Sequence, residues 1–258
     1  MAITLRSSRE IELLRKAGAV VAEVLSKLQE AVRPGISTAE LDALAGEITD
    51  RSGATALFKG VKSPYASIPF PGVICASVNE QVVHGIPSAA VKLREGDIFS
   101  VDYGDRLAGY CGDAAVTVAV GRIAPDRQRL MDVTRQLLDI AIERSAPGVK
   151  WSEVAGQMER CAKDAGFSVV TDFVGHGIGM EMHEDPKLPN FVSKELMRND
   201  IVLKPGMILA VEPMVNMGKP AVKTLADGWT VVTKDGLCSA HFEHTIAIVA
   251  SGCEVLTV

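Results

Sequence analysis

The sequence predicts an α/β (α+β) chain built as two similar helix–helix–sheet halves related by a pseudo-twofold axis. Three observations carry this. Residues 97–120, DIFSVDYGDRLAGYCGDAAVTVAV, read as a β-hairpin with an aspartate on each arm. Two capping boxes open two helices ahead of it. Further along, the same order of helices and acidic strands starts again.

The elements follow in order from local rules. Ser7-x-x-Glu10 is a capping box, and Ile11, Leu14, Ala17, Val21, Val24, Leu25 and Leu28 recur behind it at helical spacing. Arg33-Pro34-Gly35 stops that helix. Ser37-x-x-Glu40 opens a second, expected to run to about Asp50 and to end at Ser52-Gly53. Pro64, Pro69 and Pro71 forbid a long helix in 54–81 and leave strands and loops. In the hairpin an apolar run ends at Asp102, a glycine-rich turn follows, and an alternating β-branched run begins at Asp113. Pro125 opens a third helix, stopped by Ala146-Pro147-Gly148, and Ser152 is expected to cap a fourth that ends at Ala165-Gly166.

The repeat is legible at fixed offset. Pro34 and Pro147, Glu40 and Glu153, and Gly53 and Gly166 all stand 113 residues apart. Val83-His84-Gly85-Ile86 also matches Gly175-His176-Gly177-Ile178, and the run into Asp102 matches the run into Glu212. Cys111-Gly112-Asp113 matches His241-Phe242-Glu243. The reading is one domain over 1–258, with halves of about 1–122 and 123–258 meeting near the axis.

Bulk composition excludes several classes. Hydrophobic residues make up 47% and charged ones 23%, ordinary for a packed globular chain of 258 residues. A net charge of −5 points away from nucleic acid and anionic membranes. The N-terminal segment has no apolar core of a signal peptide, and no window could span a bilayer. Cys75, Cys111, Cys161, Cys238 and Cys253 are odd in number with no C-x-x-C spacing, which argues for a reducing cytoplasm and buried thiols. No phosphate-cradling glycine motif occurs.

Asp102, Asp113, His176, Glu212 and Glu243 form the candidate site, flanked by His84 and His183. Residues on a strand alternate faces, so neighbouring strands can aim both aspartates at one point. Glu212 and Glu243 sit in apolar strands, ILAVEPMV and FEHTIAIV, where a carboxylate is costly without a counter-charge. Four carboxylates balance two divalent cations, and such an oxygen-rich set with one imidazole suits Mn, Fe(II) or Co, with Zn a further option. Two metals roughly 3.5–4 Å apart are a recognised hydrolytic device. His241 and His244 are expected on the strand face opposite Glu243, and Cys111 is read as a packing residue.

These residues and their surroundings closely resemble type I methionine aminopeptidase. The resemblance spans nearly the whole chain: ICASVNEQVVHGIP (74–87), the Asp102/Asp113 pair, GHGIGMEMHEDP (175–186), AVEPMV (210–215) and DGWTVVTKDGLCSAHFEHTIAI (227–248). It implies the pita-bread fold and a cytoplasmic metal-dependent aminopeptidase that takes the initiator methionine from nascent chains when the second residue is small. It implies Asp102, Asp113, His176, Glu212 and Glu243 as ligands of two metal ions, with Glu212 also the base that activates a bridging hydroxide. His84 and His183 would bind the substrate peptide and its developing oxyanion, and the free α-amine would bind one metal. Phe70, Cys75, Met182 and Trp229 would wall the methionine pocket. A Na or K ion would fall at Asn79, Gln81 and Ser239. Partners would be nascent N-termini, with transient ribosome association and a monomeric enzyme.

The chain departs from the family pattern at Met182 and Ser67, where several members carry aromatics. It departs again at CGD for HGD, and at Ala114-Ala115 for a hydroxyl-bearing pair. Prolidase and aminopeptidase P share the fold but usually add an N-terminal domain, for which 258 residues leave no room. Glu212 and Glu243 stand 31 residues apart, too close for the helical insertion of type II members. A non-catalytic binding module of this fold would be expected to have lost ligands, and all five are present.

Overall fold

The computed structural model describes residues 3–258. Four main helices cover one face of an antiparallel sheet: α1 (Ser8–Ala31), α2 (Thr38–Ser52), α3 (Pro125–Arg144) and α4 (Trp151–Asp164). Both expected capping boxes are made, with Glu10 and Glu40 reaching back to the amides of Ser7 and Ser37. Gly53 ends α2 in the left-handed conformation and Pro125 occupies the first turn of α3. The cap of α4 differs from expectation. Its N-cap is Lys150, and Ser152 lies inside the first turn with both its amide and its hydroxyl donated to Asp200. A carboxylate distant in sequence thus supplies what a local serine was expected to give.

The hairpin is longer than its sequence suggested. Strands Ile98–Leu107 and Tyr110–Ala119 pair without interruption from Ile98↔Ala119 to Leu107↔Tyr110. The turn is Ala108-Gly109, both at positive φ as a tight two-residue hairpin requires, so Asp102 and Asp113 stand within the ladder rather than beside a turn. Asp102 pairs with Ala115 and Asp113 with Gly104, placing both aspartates on one face as diagonal neighbours.

Strand Glu243–Val249 joins this hairpin through Ala115 and Ala114 and carries Ile208–Val211 on its other side. Strands Gly175–Gly177 and Glu184–Leu188 continue the sheet outward, while Cys75–Val78 and Thr55–Ala56 flank the first half. Asp113 and Glu243 each stand one residue before the paired Ala114 and His244, which puts the pseudo-twofold through that pair. One match of the repeat is not an equivalence in space. His176 lies on a strand beside Ala210; the corresponding strand of the first half is Cys75–Val78, whereas His84 follows a separate strand, Gln81–Val83.

The core lies between sheet and helices. Phe99, Val101 and Tyr103 of the hairpin pack with Val21 and Val24 of α1 and Leu41 and Ala45 of α2; Leu137 of α3 and Met158 of α4 belong to the same cluster. Burying each such side chain contributes about 1.5–3 kcal/mol. The helices therefore take one face of the sheet, and the carboxylates keep the other.

Candidate metal centre and active site

Strand alternation and pairing register deliver five separated residues to one point. Asp102 and Asp113 come from the hairpin, Glu212 from the end of Ile208–Val211, Glu243 from the start of its strand, and His176 from the strand beyond. The ligand atoms of Asp113, His176 and Glu243 lie within 4.8 Å of one another, and all three residues are buried. His176 Nε2 is 3.5 Å from Glu212 Oε1 and 3.7 Å from Asp113 Oδ2. Its Nδ1 lies 3.0 Å from the Gly177 carbonyl. A proton held there leaves the Nε2 lone pair facing the carboxylates, the orientation a metal-ligating histidine needs.

The electrostatics of this cluster ask for a cation. Burial pushes the Asp102 carboxyl up to about 7 and raises Asp113, Glu212 and Glu243 well above the carboxylate range, with the negative charges of their neighbours adding to the shift. Burial lowers His176 to about 4, so its imidazole is neutral at pH 7. Asp102 Oδ1, Asp113 Oδ1 and Glu243 Oε1 are buried without a hydrogen-bond partner among the described residues. Orphaned acceptors converging this closely are what divalent ions would satisfy, and the oxygen-rich donor set fits them.

His241 corrects the sequence reading. It stands two residues before Glu243, so period-two alternation keeps it on the same side, and its Nε2 lies 3.9 Å from both Glu212 Oε2 and Glu243 Oε2. Burial drives its pKa down to about 3. His244 does turn away, with Nδ1 2.8 Å from Thr257 Oγ1. Cys111 does not line the cavity; it packs with Ile11, Leu14 and Ile178.

A cavity of about 330 Å³ opens on the carboxylates. Phe70, Cys75, Met182 and Trp229 line it together with His84 and His183. Phe70 meets Trp229 edge to face at 5.3 Å, and the Trp229 indole donates to the Ile68 carbonyl. His84 stands at φ 59° against Phe173, and His183 rests over His176 with ring centroids 4.4 Å apart. Met182 reaches across Gly104, its terminal methyl filling the space a β-carbon there would need. Leu57, Phe58, Val61 and Phe173 complete the apolar wall. Sequence pattern alone did not mark those four, because each looks like an ordinary core residue.

The residues read as a monovalent-cation site lie elsewhere. The Ser239 amide donates to the Asn79 carbonyl at 2.9 Å. The Asn79, Gln81 and Ser239 side chains are all engaged with protein partners, Asn79 with Asp97 and Arg127, Gln81 with Val78 and Ser239 with Val215. Main-chain carbonyls are what these residues could offer an ion.

The model of metallopeptidase family M24 matches residues 12–250. The chain belongs to metallopeptidase family M24. Within it the chain falls among the methionine aminopeptidases: it is 46% identical over 255 residues to the enzyme of that name from Clostridium perfringens, covering 99% of this chain and 98% of the relative. The crystal structure of a methionine aminopeptidase from Thermotoga maritima superposes with a TM-score of 0.93 at 40% identity, covering 99% of both chains. A Xaa-Pro dipeptidase from Bacillus anthracis shares the fold at 23% identity and TM-score 0.75, with 61% of its length covered. The fold is the pita-bread fold, and the chain is a hydrolase. Among the described residues no helix is long and apolar enough to cross a membrane.

Proposed function

We propose that this chain is a dimetal aminopeptidase that removes the initiator methionine from nascent proteins and peptides whose second residue is small. The observation that carries the reading is the cluster of Asp102, Asp113, His176, Glu212 and Glu243 at the floor of a cavity walled by Phe70, Cys75, Met182 and Trp229. Asp102, Asp113, His176, Glu212 and Glu243 would hold the pair of ions, drawn from Mn, Fe(II), Co or Zn. Bound there, the ions would supply Lewis acidity and a water made acidic enough to attack at neutral pH.

The chain's own groups do the rest. Glu212, raised by burial among other acids, takes a proton from the attacking water as general base. His84, lowered to about 4 by burial, is neutral at pH 7 and donates one ring N–H to the peptide; His183, which lines the same cavity, donates to the developing oxyanion. The apolar wall accepts a thioether side chain, and the substrate's free α-amine, in its neutral form, would ligate one of the ions. An internal peptide bond brings no such amine, which makes the enzyme an exopeptidase.

The same reading takes 1–258 as one catalytic domain with halves of about 1–122 and 123–258. It places the enzyme in the cytoplasm as a monomer that meets nascent chains in transient contact with the ribosome. A Na or K ion at the carbonyls of Asn79, Gln81 and Ser239 would brace the substrate side.

The deciding experiment compares Met-Ala-Ser, Leu-Ala-Ser and Ala-Pro-Ser as substrates for apo protein titrated with Mn, Fe(II), Co and Zn. Methionine release that requires metal is expected. Preference for the proline peptide would move the chain to the aminopeptidase P branch, and no cleavage with bound metal would favour a binding module. Metal should also stabilise the protein by about 2.7 kcal/mol at a hundred times its Kd, read as a rise in Tm reversed by chelator. An unchanged Tm would argue against ions in the acidic cluster. Replacing His84 by Ala should slow turnover by about 10²-fold or more with metal content intact. Loss of metal instead would make His84 a ligand.

A further inference from the structure

We infer that Arg6 is a positioning residue of the active site, acting through Glu184 on the loop that carries Met182 and His183. The inference rests on the assignment of those two residues to substrate contact. Gly177 pairs with Glu184 where the two antiparallel strands end, and residues 178–183 between them form a loop over the cavity. Little in that loop is regular, so something must fix it.

Glu184 is the centre of the restraint. Its Oε1 accepts the Met180 amide at 2.9 Å and the Glu181 amide at 3.2 Å, closing the loop on itself. Its two oxygens also receive Arg6 Nη2, at 2.5 and 2.6 Å. The Arg6 side chain is 8% exposed and that of Glu184 19%, so this pair is far less screened than a surface ion pair. Arg6 is itself anchored. Its amide donates to the Gly206 carbonyl, its Nη1 lies 3.5 Å from Glu10, and Glu10 belongs to the capping box of α1.

Gly179 shows that the fit is built. A β-carbon at that position would collide with the Arg6 guanidinium and with Glu184 Oε1, so the loop can lie on the arginine only because residue 179 has no side chain. Met182 then reaches Gly104 beside Asp113, and His183 lies over His176. The segment ahead of α1 thereby sets where a pocket wall and a substrate-binding imidazole stand.

The test uses full-length metal-loaded protein. In Arg6→Ala, hydrogen exchange at the Met180 and Glu181 amides is expected to rise about ten-fold or more, while amides of Tyr110–Ala119 keep wild-type rates. Peptide hydrolysis should lose about ten-fold in kcat/KM, and selectivity for Met-Ala-Ser over Leu-Ala-Ser should narrow, since Met182 is released. Arg6→Lys should recover part of both, a point charge replacing a planar fork. Gly179→Ala, which keeps the arginine, should reproduce the local exchange and the selectivity loss. Loop exchange and selectivity unchanged in both Arg6→Ala and Gly179→Ala would overturn the inference; so would exchange that rises uniformly across the protein in both. If wild type released no methionine, the proposed function would fail while the exchange data still decided the clamp.

Discussion

Glu212→Gln is expected to lower kcat for methionine release by about 10²–10⁴-fold while the protein keeps its fold and much of its metal. The amide is the same shape and retains an oxygen toward the cluster, but it cannot accept the proton of the attacking water. Removing one of four crowded negative charges also relieves repulsion, so stability should not suffer. Steady-state rates on Met-Ala-Ser at saturating Mn, with metal content measured on the same sample, check this. A rate near wild type would remove Glu212 from the role of base.

Asp105→Asn is expected to stabilise the protein by roughly 5 kcal/mol at pH 8. A proton held to about pH 8 in the fold but only to about 3.8 in the unfolded chain is worth about 1.4 kcal/mol per pH unit between them. Asp105 sits on the hairpin face opposite Asp102, among residues packed against α1, fully buried and paired across the ladder with Gly112. Neither carboxyl oxygen makes a hydrogen bond of normal geometry among the described residues, and burial pushes its pKa up to about 8 against a weak opposing contact from the Gly112 amide. The folded state therefore holds this proton more tightly than the unfolded chain, whose carboxyl titrates near 3.8. Stability contributed by the protonated form is lost as pH rises between those two values. Melting curves of both proteins should nearly coincide at pH 4 and separate progressively towards pH 8. A difference that stayed constant with pH would mean that the carboxyl is already ionised in the fold.

Much of this molecule could be read from its residues. Ser7/Glu10 and Ser37/Glu40 declare two helix starts because capping is a contact between residues three apart. Asp102 and Asp113 share a face because a strand has period two, and that held although the turn is only Ala108-Gly109 rather than the whole glycine-rich stretch between them. The start of α4 was misread because its capping carboxylate, Asp200, lies 48 residues from Ser152. Placing His241 on the face opposite Glu243 was an error of alternation that the sequence could have corrected, since residues 241 and 243 are two apart.

What the sequence determined by itself is local in origin: most helix boundaries and strand faces, the acidic residues of the cluster and the motifs shared with the methionine aminopeptidases. What the tertiary structure decided depends on register between distant strands. The Ala115–Glu243 pairing brings the hairpin aspartates to the second half, and the His176–Ala210 pairing brings the imidazole to Glu212. Arg6 meets Glu184 across 178 residues, and Asp105 becomes a buried acid only because α1 packs over Gly112. Short-range hydrogen bonds and side-chain periodicity are written in neighbouring letters; burial, charge coupling and convergence arise only when the folded sheet brings remote letters into one low-dielectric space.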